Sequence, residues 1–149
     1  MRLFLCERKE LKEPEVTIAY SEMTKSVQRV ADYVRTADRT VLCKKGDEEY
    51  EILVSDIFYA ESVDKRLFLY CEKEVYGSNY RLYELEEMLA GAGFVRVSKS
   101  VLLNVNKMTG MKSLVNSKLE AKLSNGESVC VTRKYLKDIR NELQRRNKG

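Results

Sequence analysis

From Thr40 to Thr132 the chain is cut into short runs in which apolar and polar residues alternate, each closed by a cluster of turn-forming residues. Alternation with period two places one side of a strand in a core and the other in water, and runs this short and this closely spaced pair as antiparallel hairpins. Strands are predicted near 40–45, 49–53, 56–61, 66–72 and 74–77, in the stretch 94–108, and near 111–115, 118–123 and 128–132. The turns read as "KKGDEE", "SVDKR" and the "SNGE" of residues 124–127. Helical period appears twice. In "YRLYELEEMLAGAG" Leu82, Leu85, Glu86 and Leu89 recur at i, i+3, i+4 and i+7, with Gly91 or Gly93 to end the helix, and a last helix is predicted from Arg133 to Gln144. The expected fold class is mainly β, with antiparallel sheets and two short helices over residues 40–149.

Ahead of this lies a smaller unit. "RLFLCER" at 2–8 and "EVTIAY" at 15–20 read as short strands, separated by the polar "KELKEP" that holds the only proline, Pro14. Val27, Val30, Ala31 and Val34 then fall at helical spacing between Thr24 and Arg35, with Ser21 or Thr24 as the cap. A β-β-α unit of this size cannot hold a core alone, so it must dock on the rest of the chain or on a second copy. The polar "TADRT" of Thr36 to Thr40 is the expected boundary between an extension at 1–39, a dimerisation or regulatory element, and the main domain at 40–149.

The 149 residues suffice for one buried core. Histidine is absent, which removes Ser-His and Cys-His nucleophiles and any His-ligated metal. Cys6, Cys43, Cys71 and Cys130 are scattered, without CxxC spacing, and in their apolar surroundings read as buried structural thiols. Asp56, Glu61 and the run Glu84, Glu86, Glu87 show no pairing for acid–base work or hard-metal binding, and the three glutamates read as the wet face of a helix. Gly91 and Gly93 follow a helix instead of preceding one, so there is no phosphate loop. These features predict no enzyme, no cofactor or metal, and no small-molecule substrate. Arg2, Glu7, Arg8, Lys9 and Glu10 interrupt the first apolar run, and no apolar stretch reaches the roughly 20 residues of a membrane span, so a cytoplasmic protein is expected.

Charge is unevenly spread. Residues 41–90 carry 6 Lys/Arg against 12 Asp/Glu, whereas residues 91–149 carry 13 against 4. Such segregation suits a protein that turns one face to a polyanion. Three stretches could form that face. In "FVRVSKSVLLNVNKM", Phe94 to Met108, the alternation that puts Arg96 opposite its neighbours breaks at Ser98, Lys99 and Ser100. The break is either a wet hairpin turn or a contact loop, whose hydroxyls and N–H groups suit phosphate and whose lysine could reach a guanine edge. In "VCVTRKYLKDIR", Thr132 can cap the last helix while Arg133 and Lys134 project from its first turn. The helix dipole disfavours cations there by a few tenths of a kcal/mol, so their position suits a ligand better than the fold. In "ESVDKRLF", Lys65 and Arg66 sit on a short turn after Glu61, which could hold one of them by an ion pair.

These segments, together with "VSDIFYAES" at 54–62, "YRLYELEEML" at 80–89 and "LSNGESVCVTRKYLKDI" at 123–139, resemble in order and spacing the LytTR family of DNA-binding domains of bacterial transcription regulators. The resemblance covers roughly residues 40–143. It implies an antiparallel β fold that puts loop side chains into successive major grooves, with Lys65 and Arg66, Ser98, Lys99 and Ser100, and Arg133 and Lys134 at the contacting positions. Family members often carry histidine and arginine, or asparagine, where this chain has Ser98 and Lys99, so no target sequence carries over. The segment 1–39 resembles the extension of stand-alone regulators, some restrained by a membrane protein. The resemblance therefore implies double-stranded promoter DNA as the partner, a homodimer on paired half-sites, and a possible membrane-protein regulator. Two other classes were weighed from the residues. One is a protein-interaction adaptor or inhibitor working through residues 1–39. The other is an RNA-binding β domain, disfavoured because Phe and Tyr do not cluster on a predicted sheet face.

Overall fold

In a computed structural model that describes residues 1–115 and 118–147, the side chains of 145–147 excepted, the chain folds as two antiparallel sheets and three helices. The helices are α1 (Lys25–Thr36), α2 (Leu82–Met88) and α3 (Leu136–Asn147). In chain order the strands are β1 (Thr40–Lys45), β2 (Glu48–Leu53), β3 (Tyr59–Val63), β4 (Arg66–Tyr70), β5 (Val75–Ser78), β6 (Phe94–Ser98), β7 (Val101–Asn104), β8 (Met108–Ser113), β9 (Leu119–Leu123) and β10 (Ser128–Val131). The first seven form one sheet in the order β2-β1-β5-β4-β3-β7-β6, and the last three form a second, β10-β9-β8. The expected antiparallel β class with short helices is the class observed.

Every residue of β7 is buried, on both faces of the sheet. Leu102 points into a core built from Val41, Ile57, Ala60, Leu67 and Leu69 and closed by Leu82 and Leu85 of α2 and by Leu89 just after it. Its neighbours Val101 and Leu103 point the other way, into a second core shared with Ala121, Leu123, Val129 and Val131 of the small sheet and Ile139 of α3. The alternation seen in the sequence thus divides one strand between two cores. Asn104 ends it by donating its side-chain amide to the Ile57 carbonyl at 2.9 Å, which satisfies a buried polar group.

Several boundaries shift for local reasons. The strand expected at 56–61 begins only at Tyr59, because Val54–Asp56 forms a 3-10 turn that tucks Val54 and Ile57 under the sheet. The last helix begins at Leu136, after a 3-10 turn at Arg133–Tyr135. Thr132 does not cap it as expected: its hydroxyl donates to the Val97 carbonyl at 3.4 Å and its own N–H to the same carbonyl at 2.9 Å. The final residues of the "QRRNKG" tail lie outside the described residues.

The extension departs furthest from expectation. Residues 2–8 and 15–20 form no strand, and of the β-β-α unit only the helix is regular structure. Leu3, Phe4 and Leu5 are all at least 80% exposed, so the apolar residues that suggested strands are not packed against a sheet or core among the described residues. Two strands alone are at best marginal in water, and neither segment pairs with an edge of either sheet. Thr24 caps α1 as predicted, accepting from Val27 N–H at 3.3 Å. The face of α1 turned inward is mostly polar, however: Val27, Gln28, Asp32 and Thr36 are buried while Val34 is exposed. Asp32 explains this, because its carboxylate accepts from Gln28 at 2.9 Å, from Arg35 at 3.1 Å and from Asn106 at 3.3 Å.

The cysteines also divide. Cys43 is buried and Cys71 partly so, but Cys6 and Cys130 are exposed, which corrects the expectation of four buried thiols. Burial pushes the Cys71 thiol up to about 11 and raises Cys43 as well. A thiol-alkylating reagent at neutral pH is expected to label Cys6 and Cys130 rapidly and the other two only on unfolding, as mass spectrometry of the labelled peptides would show. Replacing the fully buried Leu102 or Leu103 by alanine is expected to cost about 2–5 kcal/mol in urea unfolding.

Candidate nucleic-acid interface

The three basic stretches singled out in the sequence meet at one end of the large sheet, through backbone pairings alone. β3 and β4 are joined by Asp64 and Lys65, both with positive φ (51° and 64°), while Val63 pairs with Arg66. This is the twist a two-residue hairpin needs, and aspartate tolerates the left-handed region better than most residues. Lys65 and Arg66 are exposed at its tip.

β7 lies beside β3, with Glu61 opposite Val101, so the turn between β6 and β7 opens at the same end. The Ser62 N–H donates to the Ser100 carbonyl at 2.8 Å and ties the two turns together. Lys99 is exposed, whereas Ser98 and Ser100 are half-buried. The Ser98 hydroxyl accepts from Ser100 N–H at 3.3 Å, so it shapes the turn instead of standing free. The interruption in the strand pattern is therefore a hairpin turn with a lysine at its apex.

One step across the sheet, β6 carries a bulge: Arg96 pairs with Leu102 and Ser98 with Val101, leaving Val97 extra. Val97 buries its side chain completely and offers the carbonyl that holds Thr132. That bond sets Arg133 and Lys134, both exposed, beside Ser98. The Lys134 ammonium lies 5.5 Å from the Tyr135 ring centre. A groove of about 480 Å³ lies beside the β6–β7 turn, lined by Tyr59, Glu61, Lys99, Ser128, Cys130 and Thr132.

Glu61 makes no ion pair with Lys65 or Arg66; burial first, then the Glu61 carboxylate, raise the Tyr70 phenol. Tyr70 stacks on Tyr59 with ring centres 4.3 Å apart, directly opposite it in the β3–β4 pair. Burial, then the Glu127 carboxylate, push the Tyr59 phenol up to about 12. Glu84 and Glu86 do more than meet water: Glu84 accepts from the Arg81 N–H at 2.8 Å, and Glu86 lies 3.4 Å from the guanidinium of Arg96.

Arg81 and Arg96 are the residues that sequence reasoning left out of the site. The Arg96 guanidinium donates to the Lys99 carbonyl at 2.6 Å, and that of Arg81 to the Lys65 carbonyl at 3.4 Å. The alternation placed Arg96 only on the face opposite Val95 and Val97. The acceptors could not be read, because one lies across the β6–β7 turn and the other on the separate β3–β4 turn.

Because Tyr59 ionises at higher pH in the fold than the ordinary value of 10, the neutral phenol favours folding. That contribution is complete below pH 10 and lost as pH rises through 12. Tyr59→Phe is expected to lose less stability over that window than the unaltered chain, measured by denaturant unfolding at successive pH values.

The profile of the LytTr DNA-binding domain family matches residues 33–144, most of the chain. A solved LytTr DNA-binding domain from Bacillus cereus superposes with a TM-score of 0.66 and 28% identity, covering 70% of this chain and 95% of that one. Among curated proteins, the sensory transduction protein LytT of Bacillus anthracis is 29% identical over 130 residues, 84% of this chain and 53% of its own. LytT of Enterococcus faecalis is 27% identical over 97 residues, 65% of this chain and 40% of its own. The chain thus spans about half or less of these LytT relatives. An uncharacterized HTH-type transcriptional regulator of Staphylococcus aureus is 27% identical over 133 residues, 88% of this chain and 90% of that protein. With the matched span and the shared fold in agreement, the chain belongs to the LytTr DNA-binding domain family.

Proposed function

We propose that this chain is a sequence-specific regulator of transcription in the cytoplasm, without catalytic activity, that binds double-stranded promoter DNA through three basic corners, two at turns of its large sheet and one after β10 of the small sheet. In this reading Lys65 with Arg66 and Lys99 with its flanking serines enter successive major grooves, and Arg133 and Lys134 meet the base edges or backbone beside them. The observation that carries it is the chain of backbone hydrogen bonds from Thr132 to Val97 and from Ser62 to Ser100, which gathers cations from three distant stretches on one rim. The net +9 of residues 91–149 adds the long-range attraction.

Binding to a duplex selected from random sequence is expected to weaken steeply with salt. Lys99→Ala or Arg133→Ala should each cost roughly 1–3 kcal/mol where the residue reads a base. The combined Arg66→Ala, Lys99→Ala, Arg133→Ala chain is expected to lose specific binding in a fluorescence anisotropy titration; unchanged affinity would exclude these contacts.

Residues 1–39 form the second functional unit of this proposal, as a dimerisation element suited to paired half-sites. The exposed Leu3, Phe4, Leu5, Val16 and Tyr20 support it, since an apolar run of this kind is covered in a stable assembly. The same run also favours the competing reading of an adaptor that captures another protein. Sedimentation of the chain with and without residues 1–20 separates them: a dimer that falls to monomers still able to bind one half-site supports the regulator, and a monomer in both forms with no DNA affinity supports the adaptor.

A further inference from the structure

We infer that Arg96 is a positioning residue for the Lys99 turn and that α2 is the brace through which it works. This rests on the DNA reading above and deepens it. A lysine at the tip of a two-residue turn has four rotatable bonds, and its reach is defined only if the backbone beneath it is fixed. Arg96 supplies that fixity. One arm of its guanidinium donates to the Lys99 carbonyl at 2.6 Å and another meets the Glu86 carboxylate of α2 at 3.4 Å. α2 is in turn anchored in the first core by Leu82 and Leu85.

Two further facts set Arg96 apart from the cations that meet solvent. Its side chain is only 18% exposed, and its Nε is buried with no acceptor. The group is thus turned onto its own loop and away from any phosphate, at some cost in an unsatisfied donor. The neighbouring turn is held in the same manner: Arg81, the residue before α2, donates to the Lys65 carbonyl at 3.4 Å while Glu84 holds its N–H at 2.8 Å. Both apical lysines therefore stand on carbonyls gripped by arginines that are tied to one short helix. The spacing between the two turns is set by the β3–β7 pairing and the Ser62–Ser100 bond and is braced from behind by α2, and a planar, forked guanidinium holds a carbonyl and a carboxylate in a fixed geometry that a lysine ammonium does not impose.

The test is a double-mutant cycle on duplex DNA selected by the unaltered chain, titrated at several salt concentrations with thermal unfolding alongside. Arg96→Gln and Arg96→Lys are each expected to weaken binding about tenfold while the salt slope stays that of the unaltered chain. In a Lys99→Ala background, Arg96→Gln is expected to cost less than about twofold, because the residue acts through Lys99. Losses that simply add across the cycle overturn the inference. So does full affinity of Arg96→Lys together with a slope about one lower for Arg96→Gln, the mark of a direct phosphate contact. Should Arg96→Gln fail to fold, Glu86→Gln on the helix surface releases the same guanidinium, with about a threefold loss expected and the same non-additivity with Lys99→Ala. Failure of the unaltered chain to bind any duplex overturns the DNA reading and the brace together, whereas its binding with additive losses overturns the brace alone.

Discussion

The double burial of β7 is the constraint on which the rest of the architecture hangs. A strand with Leu102 in one core and Val101 and Leu103 in another cannot slip by a residue without inverting both cores at once. Its register therefore fixes where β6 and β3 lie on either side, and with them the position of the turns that leave the sheet at its basic end. The large sheet and the small one share no strand. What joins them is the second core, together with the bond from Thr132 to the bulged Val97.

Much of this was legible in the sequence where the cause was local. The alternation of residues 94–108, the i, i+3, i+4, i+7 stripe of Leu82, Leu85 and Leu89, and the turn signals each state a preference that packing then honoured. What the sequence could not show depended on partners remote along the chain. Asp32 draws the buried face of α1 toward Gln28 and Thr36 and leaves Val34 exposed, because Asn106 waits 74 residues away, although Val27 stays buried as its spacing suggests. Strand-like alternation at 2–8 and 15–20 is real, but strands exist only in pairs, and the described chain offers no edge that takes them. The same logic covers the site. The exposed cations were visible as breaks in a pattern, whereas the inward arginine Arg96 fitted the pattern as an ordinary outward-facing position.

On the proposed reading, contact and support fall to different residue types in this rim. Lysines and arginines at turn tips face outward, and hydroxyls, carbonyls and two arginines behind them hold the backbone still. The acidic character of residues 41–90 belongs partly to this second layer, since Glu84 and Glu86 restrain groups that restrain the turns. A negative stretch next to a surface meant for a polyanion is tolerable when its carboxylates are engaged by neighbours.

The left-handed pair Asp64 and Lys65 has an implication for how such a surface can diverge. A two-residue hairpin accepts changes of side chain at its tip more readily than changes of length, because an added residue must be absorbed within the turn: passed on into the strands, it would shift the register of β3 against β4 and carry Ala60 and Leu69 out of the core. At this turn, substitution at fixed positions is accordingly the easier change. The alphabet available at residue 65 is narrowed further, to side chains that accept a positive φ.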